Sequence, residues 1–589
     1  MTAKEKVASL RTEMKKNNVD AFIVYSADPH MGEYLPAEWQ ERTWISGFTG
    51  SAGFVVITSD KAGLWTDGRY FTQGPKELKG SGIELFKDGV EGTPQYIDWI
   101  ISETSENATV AVNGLATSHA NWVALDKKLT KNKRTLKDLP LLNNVWAERP
   151  APSTNTVFVQ PMERAGQPVN EKIAAIREKM KSEEATAHVL SSLDDVAWTL
   201  NLRGSDVKCN PVFLSYVLLT MDECFLFVDT NKLDEEAQIL MKKVGVELKP
   251  YENFFDHLAT LKKESILIAP NSNQSVFEAV KKENTIIEKP VPGHLMKAIK
   301  NETEQTGFEK VMVRDGVAMV KFLHWLTHTV GKEDLDEYNI GKKLHGFRAE
   351  GKNFIGPSFD SIVGYKGNGA IIHYSAKAEG SSKVTNDSSI LVDSGGQYLE
   401  GTTDITRTFP LGNVSEEFKK DATTVLQGLI QLSLAKFPKG TAGVQLDALA
   451  RMPLWKEGKD FNHGTGHGVG SFLNVHEGPQ SIRKDLNPVE LQAGMVMSNE
   501  PGYYVEGKYG IRHENLILIN TWKKTEWNTF YEFETLTLCP FFKSIIEKNM
   551  LSQEEIDWIN SYHHKVQEQL TPHLEGEVKE WFKDLVSPL

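Results

Sequence analysis

The chain has 589 residues, too many for one hydrophobic core, and an ordinary domain size of roughly 100–200 residues predicts three or four units. Its 40% hydrophobic and 25% charged fractions exclude wholesale disorder, and its formal net charge of -13 opposes a polyphosphate partner, so no nucleic-acid role is expected. No window approaches 18 apolar residues, so no membrane role is expected, and Cys209, Cys224 and Cys539 are too few for a disulfide framework or a zinc finger. With a polar start that lacks an apolar leader, this predicts a reducing, cytoplasmic setting.

In chain order, the first signal is a repeat. Lys6, Leu10, Arg11, Met14, Lys15 and Ala21 recur 166 positions on as Lys172, Ile176, Arg177, Met180, Lys181 and Ala187. Each copy reads as an amphipathic helix leading into a short apolar strand, Ala21 to Val24 or Val189 to Leu190. A tryptophan element follows in both, Trp44-Ile45-Ser46-Gly47 and Trp198-Thr199-Leu200-Asn201, so two similar α/β domains are expected in tandem. Pro150, Pro152 and Pro161 mark the first junction, and Pro290 and Pro292 the second. The third unit opens near residue 300 with an amphipathic helix from about Glu304 to Trp325, and a later helix is expected to start at the N-cap Ser415.

The residues that carry chemistry all lie in this third unit. The apolar run Ser389-Ile390-Leu391-Val392 ends in Asp393, and after Ser394-Gly395-Gly396 a second strand carries Asp404, placing two acids on a hairpin. Carboxylates at the ends of buried strands are costly unless paired or bound to a cation. The glycine-rich stretch from Phe461 to Gly470 holds His463 and His467, and His476 follows in Val475-His476-Glu477-Gly478-Pro479. The strand Met495 to Asn499 ends in Glu500, and the strand Gly510 to Leu516 carries Glu514. Four carboxylates and an imidazole on strand ends and a glycine loop are the donor types expected around two divalent cations in a hydrolase.

The order Asp393, Asp404, His467, Glu500, Glu514 resembles the five-ligand signature of the metallopeptidases with the pita-bread fold, which include methionine aminopeptidase, prolidase and aminopeptidase P. The strings Asp393-Ser394-Gly395-Gly396, His463 to Gly470, Val475 to Pro479 and Glu500-Pro501-Gly502-Tyr503-Tyr504 are similar to its proline-specific branch, and the two leading domains to the long, three-domain cytosolic X-prolyl aminopeptidases. The resemblance implies an α/β (α+β) chain. Two tandem creatinase-like N-terminal α/β domains, 1–155 and 156–300, would precede a pita-bread catalytic domain, 301–589, with a C-terminal extension from about 540.

The same resemblance implies two divalent metal ions per subunit, manganese first with zinc as the main alternative, and hydrolysis of the bond between residue one and a proline at position two. In that scheme Asp404 and Glu514 bridge the ions, Asp393 holds one, and His467 with Glu500 completes the other. Glu500 is the candidate general base, and His373 and His476 stand at the scissile bond and the oxyanion. His463 would line the proline pocket, and Arg69 is a candidate substrate contact. Peptides with N-terminal X-Pro are the expected partners, together with a second copy of the chain in a homodimer to which Trp455 is a candidate contributor, although core burial is the simpler expectation for Trp455 alone. Ser498-Asn499 before Glu500, and His513 in place of an aliphatic residue, depart from the family pattern without replacing a ligand. A prolidase restricted to dipeptides, a non-catalytic pita-bread module and a metal-free creatinase-like enzyme are the competing readings.

Overall fold

A computed structural model describes residues 1–589, which form two compact units: Met1–Gln160 with Pro168–Gly293, and Pro161–Gln167 with His294–Leu589. The first unit contains the repeat. Helix α1 (Ala3–Lys16) starts in a capping box on Thr2 and buries Val7, Leu10 and Met14, while α2 (Val169–Ser182) buries Ile173, Ile176 and Met180.

Each helix leads into a six-stranded sheet. The strands β1 (Ala21–Tyr25), β2 (Phe54–Thr58), β3 (Ala62–Thr66), β4 (Glu84–Lys87), β5 (Thr109–Val112) and β6 (Thr135–Asp138) are ordered β4-β3-β2-β1-β5-β6. The strands β7 (Ala187–Leu190), β8 (Tyr216–Thr220), β9 (Cys224–Phe227), β10 (Val246–Lys249), β11 (Ser265–Ile268) and β12 (Thr285–Glu288) are ordered β10-β9-β8-β7-β11-β12, the same pattern. Both tryptophan elements are helical, in Glu41–Ser46 and Leu193–Leu200, and both end on a left-handed residue, Gly47 (φ 75°) and Asn201 (φ 50°). The helical matches between the copies therefore reflect a duplicated fold.

The second unit opens with α3 (Glu302–Thr329), capped by Asn301 and longer at both ends than its sequence pattern suggested. Helices α4 (Glu337–Ala349) and α5 (Glu416–Ser433) follow, and the Ser415 hydroxyl caps α5 by accepting from the Phe418 amide at 3.1 Å. Strand β13 (Ile362–Tyr365) pairs antiparallel with β14 (Ser389–Ser394), which pairs antiparallel with β15 (Ile405–Pro410). A six-stranded sheet comprises β16 (Lys436–Pro438), β17 (Gly466–Gly468), β18 (Glu477–Ile482), β19 (Val496–Asn499), β22 (Asn515–Lys524) and β23 (Thr529–Thr535), ordered β16-β23-β22-β19-β17-β18. Strands β20 (Gly502–Val505) and β21 (Tyr509–Arg512) pair as a separate hairpin.

One core packs Met319, Phe322, Leu323 and Leu326 of α3 against Ile390 and Val392 of β14 and Ile511 of β21. A second packs Phe308 and Met312 of α3 with Leu516 and Leu518 of β22 and with Ile559, Val566 and Leu570 of α7 (Gln553–Leu570), so the C-terminal segment completes the second unit's core. Each such fully buried side chain contributes about 1.5–3 kcal/mol.

Two expectations need correction. Gly510 to Leu516 is not one strand: the chain leaves β21 after Arg512 and enters β22 at Asn515, because the two segments pair with different neighbours. Trp455, on α6 (Asp447–Lys456), is 46% exposed and is not a core residue, since α6 turns Ala450 and Leu454 inward instead.

Candidate metal centre

Asp393 lies inside β14, opposite Thr406 of β15, and Asp404 immediately precedes β15, so sheet register alone sets the two acids side by side. Glu514 falls in the break between β21 and β22, held by its amide donating to the Thr406 carbonyl at 3.1 Å. The ligand oxygens of Asp393, Asp404 and Glu514 lie within 4.8 Å of one another. His467, Glu500 and Glu514 form a second such group, and Asp404, His467 and His476 a third. All five ligand candidates from the sequence are therefore brought to one place.

The histidine loop is positioned by Arg451 of α6. This buried guanidinium donates to Asp447 (2.6 Å), to the Phe461 carbonyl (2.6 Å) and to the His463 carbonyl (2.8 Å). The register of β17 against β18 shifts between His467 and Gly468, the kind of irregularity that re-aims a side chain. Gly468 has no room for a Cβ, which would collide with the Gln480 side chain and the Glu477 carbonyl. The His467 amide donates to Ser498 Oγ (3.0 Å), and the Glu500 amide to the Thr465 carbonyl (2.8 Å).

The donor set fits a pair of divalent cations on three observations. His467 Nδ1 sits 2.9 Å from the Gly468 carbonyl, which requires the proton there and turns the Nε2 lone pair toward Asp404 and Glu500, each 3.6 Å away. Asp393 Oδ1 is buried without a hydrogen-bond partner, although Oδ2 accepts from Arg512 at 2.5 Å. Burial, then repulsion from neighbouring acids, raises the carboxyls of Asp404, Glu500 and Glu514 above their ordinary range, the signature of crowded carboxylates with too little positive charge among them. The cluster opens on one side, because His467 and Glu500 each keep 19% of the side chain exposed while Glu514 is 1% exposed.

Arg512 was not evident as a site residue from the sequence. It donates from Nη2 to Asp393, from Nε to Thr406 Oγ1 (3.2 Å) and from Nη1 to the Tyr504 hydroxyl (2.7 Å). Thr406 Oγ1 donates in turn to Glu514 (2.7 Å), and Tyr504 lies 2.7 Å from His463 Nε2. His463 Nδ1 faces the Gly464 carbonyl at 2.8 Å, so both ring nitrogens are engaged. Burial and then the Arg512 charge push its pKa down to about 3, with Arg451 and His373 adding to the effect, so His463 is neutral at physiological pH. A charged residue two positions before Glu514, inside a buried strand, was the available signal for Arg512.

The ring of His476 stands 4.4 Å from that of His467 at 81°. His513 packs edge-on against Phe541, with ring centroids 5.4 Å apart, and joins none of the ligand groups. Arg69 belongs to the first unit, where its Nε and Nη2 donate to the two oxygens of the Asp67 carboxylate at 2.8 and 2.7 Å. No helix is long and apolar enough to cross a membrane.

A buried cluster of four carboxylates and an imidazole, open on one side and set on paired strands, in a chain that begins with two α/β repeats, defines a candidate dinuclear metallohydrolase. Comparison with known proteins agrees. Residues 6–144 and 148–304 each match the creatinase/prolidase N-terminal domain, 306–521 match metallopeptidase family M24, and 529–589 match the C-terminal region of that peptidase family. The chain is 41% identical over 606 residues to a probable Xaa-Pro aminopeptidase P of Laccaria bicolor, covering 99% of this chain and 93% of that one. It is 40% identical to Xaa-Pro aminopeptidase 1 of Dictyostelium discoideum, covering 99% and 96%. An X-prolyl aminopeptidase from Caenorhabditis elegans, described as a cytosolic enzyme with a di-nuclear active site, superposes with a TM-score of 0.95 at 34% identity over 100% of both chains. The chain belongs to metallopeptidase family M24, among the long Xaa-Pro aminopeptidases.

Proposed function

We propose that the chain hydrolyses the bond between the N-terminal residue of a peptide and a proline at position two. The observation that carries this reading is the cluster of Asp393, Asp404, His467, Glu500 and Glu514, open at the His467–Glu500 edge, in a chain that matches Xaa-Pro aminopeptidases along almost its whole length. Asp393, Asp404, His467, Glu500 and Glu514 would hold a pair of divalent cations, manganese being the preferred ion. A bound pair of divalent cations supplies a lowered water pKa and a polarised scissile carbonyl.

Glu500, on the open edge, accepts the proton of the attacking water and delivers it to the departing proline nitrogen. His476, beside His467, supports the oxyanion, and His373 stands at the scissile bond. Neutral His463, its nitrogens occupied by the Gly464 carbonyl and Tyr504, presents ring carbon edges suited to an apolar proline ring. The bond before proline is a tertiary amide without an N–H donor, so a dedicated pocket must replace the backbone recognition that other peptidases use.

The functional division is placed at 1–155, 156–300 and 301–589, and the setting is cytoplasmic like that of the Caenorhabditis elegans enzyme. A homodimer through the α6 face that exposes Met452 and Trp455 is the proposed assembly, checked by sedimentation of Trp455→Glu. Elemental analysis of the purified protein, paired with arginine release from Arg-Pro-Pro before and after chelation, tests metal, activity and chain length together. A metal-replete protein that cleaves Arg-Pro but not Arg-Pro-Pro is a prolidase, and one that cleaves neither is not a peptidase of this kind.

A further inference from the structure

Glu337, the first residue of α4, is fully buried, and none of the ion pairs in the structure includes it. A carboxylate in that position is costly unless neutral donors satisfy it. Here every donor comes from one short stretch of chain. The Tyr365 amide donates to Oε1 at 2.8 Å, Asn368 Nδ2 to the same oxygen at 2.9 Å, the Tyr374 hydroxyl to Oε2 at 2.7 Å and the Ser382 amide to Oε2 at 3.1 Å. The Glu337 amide closes the ring by donating to the Ser382 carbonyl at 3.2 Å. One side chain thus grips both ends and the middle of the segment 366–382.

That segment carries His373. It leaves β13 at Tyr365, which pairs with Ile390 at the end of β14 remote from Asp393, so it reaches the metal centre only by folding back. Its first turn lies directly on β21, where a Cβ on Gly510 would collide with the Gly369 carbonyl. A second turn, in which the Tyr374 amide donates to the Ile371 carbonyl at 3.0 Å, presents His373 one residue before the tyrosine that Glu337 holds. His373 is near enough to His463 to help lower that ring's pKa.

We propose that Glu337 is a positioning residue for the reaction: through Tyr374 and Asn368 it fixes the 366–382 loop so that His373 is presented to the substrate, and it influences turnover only through His373. This rests on the reading of His373 as a residue at the scissile bond. Glu337 touches no substrate and holds no cation, so its loss leaves the metal content intact. The loss instead frees the loop, and a misplaced catalytic group is costly even when the fold survives.

The test is a double-mutant cycle on the metal-loaded enzyme with Arg-Pro-Pro as substrate. Tyr374→Phe is expected to lower kcat/KM about 10-fold and His373→Ala about 100-fold, while the double variant is expected to match His373→Ala within about 2-fold. Metal content of Tyr374→Phe should equal that of the parent, and hydrogen exchange should speed up within 366–382 only. Glu337→Gln, which turns an amide N–H₂ toward donors, should behave like Tyr374→Phe but more severely; if it fails to fold, Tyr374→Phe carries the test. Losses that simply multiply in the double variant overturn the proposal and leave the role of His373 standing. A fully active His373→Ala overturns both, and unchanged activity in Tyr374→Phe and Glu337→Gln overturns the proposal alone.

Discussion

Removing the cations should make the protein less stable as pH rises from about 6.5 to about 8. In the folded chain burial is the first cause, and repulsion from neighbouring acids the second, that keeps Asp404, Glu500 and Glu514 protonated above their ordinary range. In the unfolded chain the same acids titrate near 4. The metal-free native state therefore binds protons that the unfolded state has already lost. The stability from these raised groups is complete below the unfolded values and disappears as pH climbs through the folded ones. Each retained proton gives a slope of about -1.4 kcal/mol per pH unit, or about 2 kcal/mol across this window.

The acids outweigh the histidines in this window. Burial pushes His30, His188 and His563 down to about 4, and His463 and His513 down to about 3, so each adds stability as the unfolded imidazole titrates around pH 6.5, a gain of about 0.4 kcal/mol within the window against about 2 kcal/mol lost per retained carboxyl proton. The assay is the urea midpoint of the second unit's transition at three pH values, with chelator and with saturating Mn²⁺. With chelator the midpoint should fall toward pH 8, the added ion should abolish or reverse the trend, and Glu514→Gln should flatten it. A chelated protein that is as stable at pH 8 as at pH 6.5 refutes the reasoning that these carboxylates are crowded and under-neutralised.

At a saturating cation concentration that restores full loading by elemental analysis, Glu500→Gln should lose roughly 10²–10⁴-fold in kcat, the usual range for a general base, and near-parental turnover would remove the assignment. Arg407→Met should destabilise the second unit by roughly 3–5 kcal/mol in urea unfolding. The guanidinium is 1% exposed and donates to the Glu514 carbonyl (2.6 Å), Asn515 Oδ1 (2.8 Å), the Cys539 carbonyl (2.8 Å) and the Tyr562 hydroxyl (3.0 Å), all of which would be left short of a partner. A loss below about 1 kcal/mol would show that this link between β15, the Glu514 turn and α7 is dispensable.

The five ligand candidates were legible together. An acid that ends an apolar strand, or a histidine in a run of glycines, can be a turn or surface residue taken alone, but five such donors in the order of the family's ligand set ask for a cation. Arg512 and Glu337 belong to no such set. An arginine in a strand or a glutamate at the first turn of a helix is ordinary, and only burial changes its meaning. The partner that Arg512 holds most tightly, Asp393, lies 119 positions away, and the loop gripped by Glu337 spans donors 28 to 45 positions distant. Trp455 errs in the opposite sense, since apolar character predicted burial and the packing of α6 left it outside.

What the sequence determined alone is what acts over a turn of helix or a strand: the caps on Thr2 and Ser415, the helical faces, the duplicated pattern of the first unit and the donor types of the centre. What the tertiary structure decided is which atoms remain available. The break between β21 and β22 puts Glu514 at a crossing of two sheets, and Arg512 takes one oxygen of Asp393 while the other stays without a hydrogen bond. The backbone of Gly468 sets the tautomer of His467. Local propensity is an interaction among neighbours a few residues apart, whereas the charge balance of a buried cluster depends on sheet register and desolvation, which exist only once distant segments have come together.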